Sequence, residues 1–197
     1  HAQHLSTKGS VELIRYAKSK GLRVTCEVTP HHFSLDDSEI VAYDSNYKMN
    51  PPLRTKKDIE SIIEGLKDGT IDVIATDHAP HSKLEKDVEF DKAPNGIIGL
   101  ETSFAVCYTN LVQTKILTLG ELIEKMSINP RKILNIQPIE INKDKMANLT
   151  IVDCNEEWIV DNSKFMSKSA NSPFINKKFT GKIKYTINNA KIHQSTL

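Results

Sequence analysis

A helical hydrophobic period recurs through the first 135 residues. Ser6 or Thr7 can cap a first helix, Gly21 ends it, and its apolar face is formed by Val11, Leu13, Ile14 and Ala17. Residues 55–67 show the same spacing and predict a second amphipathic helix, with Thr55 as its N-terminal cap. Three more helices are predicted at residues 100–112, 118–126 and 130–134, and a short helical turn at 36–40.

Strand-like segments lie between these helices. Residues 22–28 alternate apolar and polar positions, residues 71–75 form a short apolar run, and a third strand is predicted to end within residues 46–54. Residues 83–99 are polar and predict a long loop. Strands that alternate with helices are typical of a parallel sheet, so the fold class is predicted to be α/β.

The pattern changes after residue 135. Residues 136–197 are rich in Asn, Lys and β-formers and contain no predicted helix. Short strands are expected at residues 149–152, 158–160, 179–185 and 190–193, with a loop at 164–172. We therefore predict two units, an α/β part at 1–135 and a small β subdomain at 136–197.

Composition excludes several classes of function. The net charge of +1 gives no reason to expect a nucleic acid or an anionic membrane as partner, and no apolar run is long enough to span a membrane. Cys26, Cys107 and Cys154 are odd in number and far apart, which indicates reduced thiols and predicts a cytoplasmic protein.

Polar side chains stand where the predicted strands end. His4, Asn50 and Asp77 each follow a strand, and the carboxyl ends of parallel strands meet at one edge of a sheet. Imidazole and carboxylate together suit Zn²⁺, but catalytic zinc usually has three protein ligands. A site at residue four is also unusual in a natural domain. We therefore expect that an N-terminal part completes this site.

Several motifs occur in an order that resembles one family. They are His4-Leu5-Ser6-Thr7, Thr29-Pro30-His31-His32, Lys48-Met49-Asn50-Pro51-Pro52-Leu53-Arg54, Thr76-Asp77-His78-Ala79-Pro80-His81, Pro94-Asn95-Gly96, Asn129-Pro130-Arg131 and Lys168-Ser169-Ala170-Asn171-Ser172-Pro173-Phe174. Together they resemble the C-terminal half of a class I, bacterial-type dihydroorotase of the cyclic amidohydrolase superfamily.

This resemblance implies the second half of a (β/α)₈ barrel followed by the small β subdomain. It implies a zinc-dependent enzyme, with one or two ions, that interconverts N-carbamoyl-aspartate and dihydroorotate in pyrimidine synthesis. His4 and Asp77 match metal ligands, and Asp77 also matches the catalytic acid/base. Asn50 and His81 match residues that hold the substrate, and Asn95 and Gly96 match the loop whose backbone contacts the pyrimidine.

The resemblance also marks departures and leaves alternatives open. The family's His-x-His pair, bridging carboxylate or carboxylated lysine, further histidine ligand and substrate-binding arginine all lie upstream of this sequence. Asn95 stands where bacterial relatives often have Phe. The alternatives are another cyclic amidohydrolase, such as a hydantoinase or allantoinase, or an inactive dihydroorotase-like structural partner. A homo-oligomer and a complex with aspartate carbamoyltransferase both remain open, and an isolated half barrel is expected to be inactive.

Three further histidines need not be ligands. His31 and His32 follow a strand, but the resemblance does not assign the metal to them. We expect both to pack in the interior or to form hydrogen bonds behind the ligands. His78, next to Asp77, is expected to have a similar supporting role.

Overall fold

The computed structural model describes residues 1–197 as an α/β part followed by an antiparallel sheet. The α-helices are α1 Lys8–Ser19, α2 Pro30–Ser34, α3 Lys56–Lys67, α4 Lys83–Lys86, α5 Ser103–Cys107, α6 Leu119–Ile123 and α7 Asn129–Ile133. The strands are β1 Glu27–Val28, β2 Val73–Ile74, β3 Leu149–Ile159, β4 Lys178–Asn188 and β5 Lys191–Gln194. None of the helices has the length and apolar character needed to cross a membrane.

The long amphipathic helices agree with the sequence pattern. The Thr7 side chain accepts from Ser10 N and caps α1, which buries Val11 and Ile14. Leu13 was predicted on the same face, but it is 66% exposed because it lies between the two buried positions and points away from α3. Thr55 starts α3 as predicted, although its hydroxyl donates to the Asp58 carboxylate instead of accepting from the helix backbone.

A short parallel sheet lies against these helices. β1 pairs with β2 in the register Glu27 to Val73, and Ala2 forms a bridge with Cys26 on the other side of β1. The predicted strand 22–28 is therefore shortened to its last two residues. Its first half turns instead, since Val24 N donates to Leu22 O.

The prediction of a strand end at 46–54 is wrong. Residues Ser45–Tyr47 form a 3₁₀ turn, and a bend follows at Asn50 and Pro51, whose connecting peptide bond is cis. Two consecutive prolines lack the backbone N–H groups that a ladder needs, which explains why this segment joins no sheet.

Two helical predictions change in length or continuity. α5 begins at Ser103, three residues after the predicted start, and continues through a π-helical turn at Tyr108–Val112. The helices predicted at 118–126 and 130–134 are joined by a second π-helical turn at Glu124–Ile128, because Ile128 and Asn129 keep helical backbone angles. The predicted loop 83–99 contains the short helix α4, which Ser82 and Glu85 cap reciprocally.

The second half of the chain is a three-stranded antiparallel sheet in the order β3-β4-β5. The two strands predicted at 149–152 and 158–160 form one strand, whose pairing with β4 shifts between Ile151 and Val152 and again between Asp153 and Glu157. Strand β4 extends the predicted 179–185 by a few residues. A 3₁₀ turn, Asn162–Lys164, is the only helical element after residue 135.

Two hydrophobic clusters form the interior. The first joins α1, α3, β1 and β2 around Val11, Val28 and Ile62. The second is shared between the two halves of the chain: Leu35, Met49 and Ile97 pack with Trp158 and Phe179. Because neither half buries these residues alone, the antiparallel sheet is fixed against the α/β part.

Candidate active site

The candidate site begins with His4 and Asp77, which are 73 positions apart in sequence and meet in space. His4 follows the bridge at Ala2, and Asp77 stands three residues after β2. The distance between His4 Nε2 and Asp77 Oδ1 is 3.5 Å. The His4 segment and β2 lie on opposite sides of β1 and run parallel to it, and their ends place one nitrogen and one oxygen atom side by side.

Both residues have unusual backbone conformations. The φ angle is 51° at His4 and 46° at Asp77, which lies in the left-handed region. This region is strained for residues with a side chain, although Asp and His enter it more often than most. Strain of this kind clusters at functional sites, and here it turns the two side chains toward each other.

Glu27 supports His4 and was missed by the sequence analysis. It lies on β1, mostly buried, with Oε1 at 2.9 Å from His4 Nδ1 and Oε2 at 3.1 Å from His1 Nε2. The His4 contact is short enough for an ion pair but falls outside hydrogen-bond angles. Burial, with a further contribution from the Asp77 charge, raises the pKa of Glu27. Glu27 occupies a polar position in the alternating pattern of residues 22–28, and such a position predicts a solvent-facing side chain. The sequence pattern therefore does not indicate its contact with His4.

His4, Asp77 and Glu27 fit part of a metal site. A carboxylate beside one ring nitrogen of a histidine, with the other nitrogen free for a metal, is the usual arrangement behind a ligand. Only His4 and Asp77 present free donor atoms here, and no group of three or more His, Cys, Asp or Glu in the chain could hold a metal ion. The donor set therefore supplies two ligands, one fewer than catalytic zinc usually takes from protein.

A second cluster contains His81, Asn95 and Gly96. His81 Nε2 lies 2.9 Å from the Asn95 carbonyl oxygen, so this nitrogen carries the proton and Nδ1 is left free. Gly96 has a φ of 124°, and a Cβ there would lie 2.5 Å from Ala79 Cβ and 3.3 Å from His81 Nε2. Only glycine therefore allows the loop to approach the His81 ring this closely.

Asn50 lies in the bend before the two prolines. Its side chain is exposed, and its carboxamide forms no hydrogen bond within the chain. The structure thus leaves the amide free, without bringing it into contact with His4, Asp77 or His81.

Of the three further histidines, His31 and His32 are buried and His78 is partly buried. His32 Nδ1 bonds to Thr29 Oγ1 at 2.6 Å, and Nε2 donates to Pro51 O at 2.8 Å. Burial lowers the pKa of His32 to about 4 and that of His31 well below its usual range. His78 Nδ1 accepts from Gly99 N at 3.1 Å, so it orders the backbone that precedes α5.

A cleft of about 600 Å³ opens beside the second cluster. It is polar and lined among others by His81, Lys86, Lys168 and Asn171. His81 lines this cleft, whereas His4 and Asp77 do not.

Comparison with known proteins gives a consistent assignment. The sequence profile of the amidohydrolase family matches residues 1–193. A curated dihydroorotase from Acetivibrio thermocellus is 51% identical over 192 residues, which is 98% of this chain and 45% of that protein. The chain therefore spans about 45% of the length of that curated relative.

Solved structures share the fold. An L-hydantoinase (dihydropyrimidinase) from Arthrobacter aurescens superposes with a TM-score of 0.90 at 31% identity, over 98% of this chain and 44% of that one. The inactive dihydroorotase-like domain of a Chaetomium thermophilum CAD-like multifunctional protein superposes with a TM-score of 0.71 at 21% identity, over 96% and 49%. The second comparison supports the fold alone.

Proposed function

This chain belongs to the amidohydrolase family, and from that premise we propose that it supplies two metal ligands and part of the substrate site of a dihydroorotase. The reaction is the reversible cyclisation of N-carbamoyl-aspartate to dihydroorotate in pyrimidine synthesis. The proposal depends on one observation above all, the 3.5 Å approach of His4 Nε2 to Asp77 Oδ1 on either side of the end of β1.

His4 and Asp77 would hold zinc, as one or two ions, together with ligands from outside these 197 residues. Bound zinc lowers the pKa of a water molecule and polarises the amide carbonyl. Asp77 has a second oxygen beside the one near His4, and this carboxylate can take the proton from water and return it to the amide nitrogen. Glu27 keeps the His4 ring oriented while this happens.

The second cluster would bind the substrate. Asn50 offers a free carboxamide, and His81 offers Nδ1 because its other nitrogen is held by Asn95 O. The backbone of Asn95 and Gly96 provides peptide groups that can pair with the amide edge of a pyrimidine ring. The substituent at position 95 then matters little, which makes Asn acceptable where relatives often have Phe.

The same proposal fixes the place of the chain in the whole enzyme. Residues 1–135 would form the C-terminal half of a (β/α)₈ barrel and residues 136–197 a small β subdomain beside it. Its three free cysteines agree with a cytoplasmic location. Partners other than the small-molecule substrate would be a second copy or aspartate carbamoyltransferase.

A hydantoinase is the second candidate function, favoured by the TM-score of 0.90 to the Arthrobacter aurescens structure. Sequence identity supports the dihydroorotase, since the curated dihydroorotase is 51% identical and this hydantoinase 31%. An inactive structural role is disfavoured because His4, Asp77, Asn50 and His81 are all present and positioned as described.

The test joins residues 1–197 to the N-terminal 55% of the Acetivibrio thermocellus relative as one chain and assays turnover with zinc. We expect the chimera to hydrolyse dihydroorotate in preference to a hydantoin, and the isolated chain to be inactive. Asp77→Asn should abolish the reaction, while Asp37→Asn, at an exposed position, should leave it unchanged. A folded, zinc-loaded chimera without dihydroorotate turnover would refute the proposal.

A further inference from the structure

Asn171 occupies a buried position where the second half of the chain meets the candidate substrate site. It is 5% exposed, and its carboxamide is fully used. Nδ2 donates to Ala79 O at 2.9 Å and to Gly96 O at 3.1 Å, and Oδ1 accepts from His81 N at 3.1 Å. One side chain therefore joins the segment that contains His81 to the loop that contains Gly96.

Lys86 reaches the same loop from the opposite side. It is 6% exposed, and Nζ donates to Pro94 O at 3.0 Å and to Gly96 O at 3.1 Å. No carboxylate forms an ion pair with this ammonium group, and burial lowers the pKa of Lys86 to about 8. Burying a cation that has no carboxylate partner costs free energy unless other polar groups replace its water shell. Here the carbonyl groups of the loop replace it.

The two side chains meet at Gly96. Its carbonyl oxygen accepts from both, and its N–H donates to Lys48 O at 3.0 Å. The loop in turn fixes the His81 ring, because Nε2 donates to Asn95 O. The orientation of His81 thus depends on a loop that Asn171 and Lys86 hold in place.

We propose that Asn171 and Lys86 are positioning residues that keep residues 94–97 against residues 79–81, so that His81 and the loop backbone are arranged for substrate before it arrives. The inference rests on the proposed function for the identity of the substrate, but the arrangement itself can be tested without turnover. It also gives the β half of the chain a direct role at the site, because Asn171 lies between β3 and β4.

The experiment uses the full-length chimera with Asn171→Ala and Lys86→Gln. Ser172→Ala is the matched control, since Ser172 is 3% exposed in the same segment and its hydroxyl accepts only from Phe174 N. The first readout is hydrogen exchange of residues 93–99. The second is the imidazole spectrum of His81 in histidine-labelled protein, in which loss of the Nε2–H bond changes the nitrogen shifts.

We expect the loop to exchange about tenfold faster in both variants, because each loses hydrogen bonds that hold the loop in place. We also expect altered His81 nitrogen shifts in both. KM for dihydroorotate should rise about tenfold while kcat changes less, since the lost interactions organise binding. Ser172→Ala should match the parent in all three measurements.

Unchanged exchange and His81 shifts in a folded variant would overturn the inference, whether or not the parent hydrolyses dihydroorotate. An active parent whose variants keep the parent KM would overturn it as well. If Asn171→Ala does not fold, as judged by circular dichroism, Lys86→Gln decides between the two results. If the parent is inactive but the variants show altered exchange and altered His81 shifts, the proposed function is refuted and the positioning role of Asn171 and Lys86 still stands.

Discussion

At the scale of single residues, the candidate site depends on side chains whose partners are remote in sequence. His4 lies 23 positions before Glu27 and 73 before Asp77, yet both carboxylates are within contact distance of its ring. A motif can identify His4 and Asp77, but Glu27 becomes visible only when β1 is placed beside the N-terminal segment. Lys86 lies in a sequence neighbourhood that resembles an ordinary polar loop, and Asn171, although it belongs to the motif Lys168–Phe174, shows its role only through its contacts.

Replacing Glu27 by Gln is expected to weaken zinc binding by the full-length chimera. The charge that orients His4 is lost, and removal of such a supporting carboxylate typically lowers metal affinity about 10- to 100-fold. Competition with a zinc chelator measures the change. Glu64→Gln, in an exposed helical pair with Lys67, is the control and should keep the parent affinity. Equal affinities in both variants would contradict the role given to Glu27.

His32 makes a second prediction, which concerns pH. Its pKa is about 4 in the folded chain and near 6.5 when unfolded, so between these values the unfolded chain binds more protons. Stability is therefore present above pH 6.5 and falls as the pH drops toward 4, by about 3 kcal/mol from this residue. Denaturant unfolding from pH 7 to 4.5 measures the slope. His32→Gln should reduce the slope and leave the part that buried His31 contributes, whereas His193→Gln, at an exposed strand position, should not change it. If the stability of His32→Gln depends on pH as steeply as that of the parent, the prediction is wrong.

At the scale of elements, the sequence predicts well those segments whose hydrophobic period is long. Helices α1 and α3 begin directly after Thr7 and Thr55, and α1 ends two residues before Gly21. The short strands are harder to predict from sequence. Two residues are too few to show a hydrophobic period, and their pairing depends on partners that are distant in sequence. The strand end predicted within residues 46–54 does not form, because Pro51 and Pro52 lack the backbone N–H groups that ladder pairing needs.

Helices α1 and α3 pack closely at Gly65. A Cβ at Gly65 would lie 2.9 Å from Val11 Cγ1 and 3.1 Å from Ile71 Cδ1, so Gly65→Ala should destabilise the protein by about 1 to 3 kcal/mol. Gly9→Ala is the matched control: it lies in α1 with open space around it and should stabilise by about 0.5 to 1 kcal/mol. Thermal unfolding should show a lower melting temperature for Gly65→Ala and a higher one for Gly9→Ala than for the parent. Stabilisation by Gly65→Ala would show that the two helices separate more easily than their contact indicates.

At the scale of the whole molecule, the parallel sheet is small for the helices around it. β1 and β2 contribute only two residues each, and parallel sheets are normally covered and continued on both sides. One edge is partly covered, since Lys125 Nζ donates to Ile71 O at 2.7 Å and Asn129 Nδ2 to Asp72 O at 2.9 Å. Strand ends with free backbone groups favour pairing with another chain.

The isolated 197-residue chain is therefore expected to associate. Light scattering after size exclusion should give a mass above the 22.2 kDa of one chain. In the chimera, the relative's N-terminal part can continue the sheet. The mass of the chimera should therefore increase less with protein concentration than that of the isolated chain. A monodisperse isolated chain of 22.2 kDa would contradict the expectation.

The hydrophobic cluster shared by the two halves has a consequence for cleavage. Residues 134–146 connect the halves, lie exposed and include Lys143 and Lys145, so trypsin should cut there first. Trp158 and Phe179 would still be packed among Leu35, Met49 and Ile97. The nicked protein should give two bands under denaturing electrophoresis yet migrate as one species when native. A covalent link is then dispensable once the molecule has folded, because the shared interior holds both pieces together.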